Sequence, residues 1–222
     1  SKIFCKLSKE DRSALSENKG SNFYKKGQVK FYQGNHSHGL YCVHSGKVKL
    51  SKLGEDGKEQ VVRFAKTADI LGYRALLSNE AYQATATAME DCYICHLSKD
   101  NYLKLMEENP SMSWSVIQLL SKDLGNAEQH LINIAQKSVK NRIAEALMLM
   151  HSTFGFAPDG QSIDVVLSRS EIANIAGTTS ETAIRTLALL NKEGLILKIY
   201  LFYLRLTLME LLIIYCSAMG KF

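Results

Sequence analysis

Glu181 and Arg185 stand four residues apart in the run Ser168-Arg-Ser-Glu-Ile-Ala-Asn-Ile-Ala-Gly-Thr-Thr-Ser-Glu-Thr-Ala-Ile-Arg-Thr-Leu-Ala-Leu-Leu-Asn-Lys192. Together they suit the reading of base pairs. A guanidinium donates two hydrogen bonds to guanine O6 and N7, and a carboxylate accepts from cytosine N4, each good pair contributing about 1–3 kcal/mol of discrimination. Helical residues three and four apart share a face, so a helix opening near Ser180 presents Ser180, Glu181, Ile184 and Arg185 together. Ser180 and Thr182 would position such a helix through phosphate oxygens, with Thr179 and Arg169 adjacent. A surface ion pair between Glu181 and Arg185, on an ordinary pair of helices, uses the same residues and stays open at this point.

Those side chains need two short helices and a tight turn to position them. Ser168 with Glu171 forms a capping box, Gly177 suits a helix end, and Thr179 is a good N-cap for the second helix. Ala173 allows close approach, and Ile172, Ile175, Ala183 and Leu187 fill a small core, which is the logic of a helix-turn-helix. Upstream, Val139, Ile143, Ala146, Leu147 and Met150 keep a helical period. Gly155 to Gly160 then reads as a loop.

From Pro110 to Gln136, Val116, Leu120, Leu124, Ala127, Leu131 and Ile134 recur at steps of three and four, a coiled-coil-like stripe. It suits either a helix lying on its own β domain or a long helix pairing with its twin in a homodimer. Residues 20–98 read as one antiparallel β domain. Short β-branched and aromatic runs are punctuated there by Gly46 and by Asp56-Gly57. Residues 3–19 read as a short helix.

The composition belongs to a globular protein: 222 residues, 46% hydrophobic, 22% charged and two prolines, which excludes disordered and collagen-like classes. The net charge of +5 hints at nucleic acid, yet residues 138–196 carry five basic and six acidic groups, so charge alone does not locate a DNA surface. Five scattered cysteines and no secretory leader point to a reduced, cytoplasmic protein.

In its order of parts the chain resembles the catabolite-activator and fumarate-nitrate-regulator (CRP/FNR) superfamily of bacterial transcription factors. The resemblance rests on Leu40-Tyr-Cys-Val-His-Ser-Gly-Lys-Val48, the step Ala68-Asp-Ile-Leu-Gly72, the long helix, and Ser180-Glu-Thr-Ala-Ile-Arg185. It implies an α+β fold: an N-terminal antiparallel β-roll, cupin-like and similar to cyclic-nucleotide-binding domains, over 1–109; a dimerisation helix over 110–137; and a C-terminal winged helix-turn-helix domain over 138–222, with an atypical tail from about 197. It also implies a homodimer that binds a palindromic promoter and contacts RNA polymerase. By resemblance Glu181 and Arg185 read bases in TGA-like half-sites. Ile184 replaces a serine that makes a further contact in one branch. The alternative is a ligand-sensing β-roll dimer that has lost specific DNA binding through its altered C-terminus.

Departures from the family pattern narrow the effector. Cyclic-nucleotide-binding members carry Gly-Glu and, about ten residues on, Arg-Ser. Here Tyr73 follows Gly72, and Tyr82-Gln83 replace Arg-Ser. Tyrosine and glutamine cannot supply the charge that neutralises a cyclic phosphate, so cAMP binding is not expected; an unknown effector near Gly72, Tyr73, Arg74, Tyr82 and Gln83 is. The iron-sulfur branch needs several N-terminal cysteines, and this chain has only Cys5 there. Cys92-Tyr-Ile-Cys-His96 matches a haem-attachment string, but in a strand its two thiols point to opposite faces. No enzyme motif, cofactor or resident metal is expected. After Ile196 the family pattern breaks: an apolar, turn-free stretch begins where a Gly-Lys-containing wing is expected, and a changed reading frame would account for it. Lys198, Arg205 and Glu210 interrupt that stretch, leaving it too short to span a membrane.

Overall fold

The computed structural model describes residues 3–4, 20–55, 57–199 and 203–206. The remainder of the expected helix over 3–19, the turn after Ile199 and the tail beyond Leu206 lie outside these. Two compact units are present, one built from the chain up to Leu53 with Val62–Ala127, the other from Gly54–Val61 with the chain from Glu128 onward.

The first unit is a β-roll of two four-stranded sheets. One joins β1 (Gly20–Tyr24), β8 (Cys92–Ser98), β3 (Gly39–Ser45) and β6 (Ile70–Leu71), in that order; the other joins β2 (Val29–Phe31), β7 (Thr85–Ala88), β4 (Lys47–Leu53) and β5 (Glu59–Lys66). Strand alternation sends successive side chains to opposite faces. In β3, Tyr41 and Val43 enter the space between the sheets, joining Phe31, Val48, Leu71, Tyr82 and Ile94. Leu40 and Cys42 face the other way, onto a second core of Ile70, Tyr73, Leu97, Tyr102, Leu105, Met112 and Val116. Because β3 is covered on both faces, its sequence is nearly continuously apolar rather than alternating.

Three helices complete the outer layer: α1 (Tyr73–Ser78), α2 (Lys99–Glu108) and α3 (Pro110–Gln136). The short α1 departs from the reading of residues 20–98 as one antiparallel β domain, because it follows β6 directly and adds a helical turn and a half within that stretch. Ser98 caps α2, its side chain accepting from the Asn101 N–H, and Pro110 occupies the first position of α3, where its missing N–H costs no helical bond.

The second unit contains α4 (Val139–Phe154), α5 (Arg169–Ala176), α6 (Ser180–Lys192) and the antiparallel pair β9 (Ile196–Ile199) and β10 (Tyr203–Leu206). The hairpin lies where a wing is expected. The sequence pattern has the fold breaking off near 197; the backbone instead keeps a register, with Leu206 opposite Ile196 and Tyr203 opposite Ile199. Among the described residues no helix is long and apolar enough to cross a membrane.

Candidate nucleic-acid interface

The turn between α5 and α6 is built by local chemistry. The Ser168 side chain accepts from the Glu171 N–H at 3.2 Å while the Glu171 carboxylate accepts from the Ser168 N–H at 2.8 Å, so the capping box is complete. Gly177 ends α5 at φ 61°, a left-handed conformation that a residue with a Cβ adopts only under strain. Thr179 then caps α6, its Oγ1 accepting from the Thr182 N–H at 3.3 Å. Ile172, Ala173, Ile175, Ala176, Ala183 and Leu190 are buried, and Leu187 is half-buried.

The buried positions orient the rest. With Ala183 and Leu190 inward, Ser180, Glu181, Ile184 and Arg185 are exposed on the first turns of α6. Glu181 and Arg185 form no ion pair; the Arg185 guanidinium donates from Nη2 to Thr182 Oγ1 at 3.5 Å. Thr182 is half-buried and also accepts the Thr179 hydroxyl hydrogen at 2.9 Å. Arg169 is half-buried at the start of α5, and Thr179 is exposed. The expected base-reading pair and its polar neighbours therefore share one end of one helix.

Arg142 is a residue that sequence reasoning missed. From α4 its Nε donates to Ala176 O at 2.9 Å and its Nη2 to Gly177 O at 3.3 Å, while Nη1 reaches Lys137 O at 3.2 Å and Ile134 O at 3.3 Å. One planar fork thus serves the carbonyl ends of both α3 and α5, where four carbonyls lack helical partners. The pairing spans more than thirty residues of sequence, so no local signal announces it.

The apolar stripe of α3 divides. Val116 is 1% exposed and belongs to the core of its own β-roll, so its expected place in a dimer seam is corrected; Leu120 packs partly against the same core. Farther along, Leu124 is 62% and Leu131 69% exposed, with Ala127 and Ile134 exposed beside them. Ile117, also exposed, keeps the three-and-four spacing with Leu120 and Leu124 and starts the outward stripe in place of Val116.

The expected effector residues do not converge. Gly72, at φ 81°, precedes α1, and a Cβ there would lie 3.3 Å from Tyr82 Cε1, so these two meet. Tyr82 is buried and stacked on Phe31, ring centroids 3.9 Å apart. Tyr73 turns to the other core. Its hydroxyl donates to Asp123 Oδ2 on α3 and accepts from Arg63 Nη1, and Arg63 reaches Asp123 Oδ2 at 3.1 Å and Ile70 O at 2.6 Å. Burial pushes the Tyr73 phenol up, the Arg63 charge opposing it, so it stays a neutral donor. Arg74 and Gln83 are exposed.

Cys92 points inward, its thiol donating to Glu90 O at 3.1 Å and Lys47 O at 3.3 Å, whereas Cys95 lies on the opposite face, as strand alternation requires. No cluster of three or more His, Cys, Asp or Glu among the described residues could hold a metal ion.

Comparison with known proteins agrees with this architecture. Residues 21–109 match the model of the cyclic nucleotide-binding domain, and 141–212 that of the Crp-like helix-turn-helix domain. The chain is 31% identical over 173 residues to the "Cyclic AMP receptor protein" of Thermus thermophilus, covering 78% of this chain and 77% of that one. The chain belongs to the CRP/FNR superfamily. The "Transcriptional activator protein anr" of Pseudomonas aeruginosa is 28% identical, over 86% of this chain and 78% of its own. A solved CRP/FNR-family transcriptional regulator from Thermus thermophilus superposes with a TM-score of 0.73 at 26% identity, over 88% of this chain and 97% of that chain. This CRP/FNR member is a transcription regulator with a helix-turn-helix DNA-binding domain, and not an enzyme. Its helix-turn-helix match runs to residue 212, so the family resemblance does not stop at 197.

Proposed function

We propose that this chain is a cytoplasmic, sequence-specific DNA-binding regulator that acts as a homodimer on a palindromic promoter site and contacts RNA polymerase. The observation that carries this reading is the exposed pair Glu181 and Arg185 on the capped first turns of α6. Arg185 releases Thr182 and donates its fork to guanine O6 and N7; Glu181 accepts from cytosine N4. Ser180 and Thr179, with Thr182 and Arg169 behind them, fix the helix against phosphates and carry no sequence information. Ile184 offers an apolar contact, of the kind a thymine methyl accepts.

Dimerisation follows from the outward stripe of α3, since Leu124, Ala127, Leu131 and Ile134 are exposed at a coiled-coil spacing that a second copy would cover. A two-fold dimer presents two copies of α6, and these fit DNA only when their separation is about one helical turn, roughly 34 Å. An effector acting on the region from Gly72 to Gln83 would shift the population of dimers with that separation. Tyr73 and Tyr82 are buried, and the guanidinium beside Tyr73, that of Arg63, is already engaged by Asp123 and Ile70 O instead of being left to neutralise a cyclic phosphate. That effector is therefore not cAMP, whatever the Thermus relative's name says of that protein.

The test is a mobility-shift titration at stated salt with a TGA-type palindrome and a scrambled duplex. Selective binding by the wild type is expected, and Arg185→Ala should lose about 1–3 kcal/mol of that selectivity per half-site. Equal, salt-sensitive binding of both duplexes by the wild type would overturn the reading in favour of a sensor dimer without specific DNA binding.

A further inference from the structure

Two cysteines that DNA reading leaves unused face each other across neighbouring strands. Cys42 on β3 and Cys95 on β8 are register partners, within one row that runs Ser21, Cys95, Cys42, Ile70 across the four-stranded sheet. Val43 donates its N–H to Asp69 O at 3.0 Å and accepts from the Ala68 N–H at 2.8 Å, so its backbone groups point to the β6 side. Cys42, one residue earlier, turns its own toward β8. Cys42 and Cys95 are therefore a mutually hydrogen-bonded antiparallel pair, in which Cα atoms stand about 5.5 Å apart. Register partners project to the same face, and both thiols are half-buried.

This spacing matches a disulfide that is almost, but not fully, relaxed. A disulfide accepts Cα separations of about 4.4–6.8 Å but wants Cβ atoms about 3.5–4.5 Å apart, whereas directly opposed Cβ atoms in a sheet sit about 4.5–5.5 Å apart. Closure therefore draws the two strands together, and a bond held under such strain is reduced again easily.

We propose that Cys42 and Cys95 form a reversible thiol-disulfide site oxidised by a peroxide. One thiolate attacks the peroxide O–O bond and becomes a sulfenic acid as hydroxide departs; the second thiolate attacks that sulfur and expels a second hydroxide. Each thiol gives up its proton, the two sulfurs lose two electrons to the peroxide, and two waters result from hydrogen peroxide. The consequence reaches α3 through a short series of contacts. Cys42 is paired on its other side with Ile70, and Ile70 O accepts from Arg63, the residue that also holds Tyr73 and Asp123.

The full-length reduced protein, treated with hydrogen peroxide, quenched with an alkylating reagent and mapped by mass spectrometry, tests this. Expected is one intramolecular link joining the peptides of Cys42 and Cys95, reversed by dithiothreitol. It should persist in Cys5→Ser and Cys216→Ser and vanish in Cys95→Ala and, separately, in Cys42→Ala. Because the wild-type map alone decides whether the link exists, a variant that fails to fold does not rescue the idea. Full alkylation of Cys42 and Cys95 after peroxide, or a link that uses Cys5 or Cys216 instead, overturns it. The measurement does not depend on DNA reading, so a failed mobility shift leaves its outcome unaffected.

Discussion

At the scale of single residues, Arg142 is placed to matter more than its half-buried position suggests. Four carbonyls of two helix ends share its guanidinium, and hydrogen bonds to a charged group contribute about 1.5–3 kcal/mol each before mutual dependence is allowed for. Arg142→Ala should therefore lower the stability of the second unit by about 2 kcal/mol, read as a fall in urea midpoint. Arg142→Lys should recover only part of it, because an ammonium cannot reproduce the fork. His96 makes a different prediction. Burial, and after it the charge of Lys30, lowers its pKa, and its Nε2 is buried without a hydrogen-bond partner. The folded state resists a proton that the unfolded chain accepts near pH 6.5. Stability is thus retained above that pH and lost as pH falls below it. Urea midpoints measured between about pH 7 and pH 5 should fall less steeply for His96→Gln than for the wild type.

Among the elements, α3 has apolar positions with opposite roles along its length. Val116 supports the roll, and Leu131 faces out. Val116→Ala should cost about 1–2 kcal/mol of folding stability and leave the association state alone; Leu131→Glu should leave the melting of the roll nearly unchanged and shift sedimentation toward monomer. The reverse pattern would remove the stripe from the dimer reading. The same helix shows why legibility varied along this chain. Its existence, and the capped pair α5–α6, depend on residues within one or two turns, so Ser168, Glu171, Gly177 and Thr179 were readable directly. The phase of its stripe was not, because Val116 and Ile117 are both apolar and only contact with the roll decides between them. The helix α1 has six residues and no side-chain cap at Gly72, which left nothing for a local reading to find. The link from Tyr73 to Asp123 spans fifty residues, and no spacing rule reaches that far.

For the molecule as a whole, the absence of a net positive charge on residues 138–196 limits how much of DNA affinity can come from electrostatics. Binding should rest on a few phosphate contacts, each contributing about −0.9 to the slope of log affinity against log salt. Arg169→Ala should weaken binding to palindrome and scrambled duplex alike and flatten that slope by about 1 for each contact removed; a selective loss on the palindrome would instead make Arg169 a base reader. The interior of the roll has its own consequence. Phe31 and Tyr82 stack face to face between the sheets, so the roll already encloses an aromatic occupant tethered to the chain. Trimming Tyr82 would leave a dry, ring-shaped vacancy of the kind that small aromatic molecules enter. A regulator with that vacancy could be placed under the command of an added phenol, making this scaffold a starting point for an artificial chemical switch.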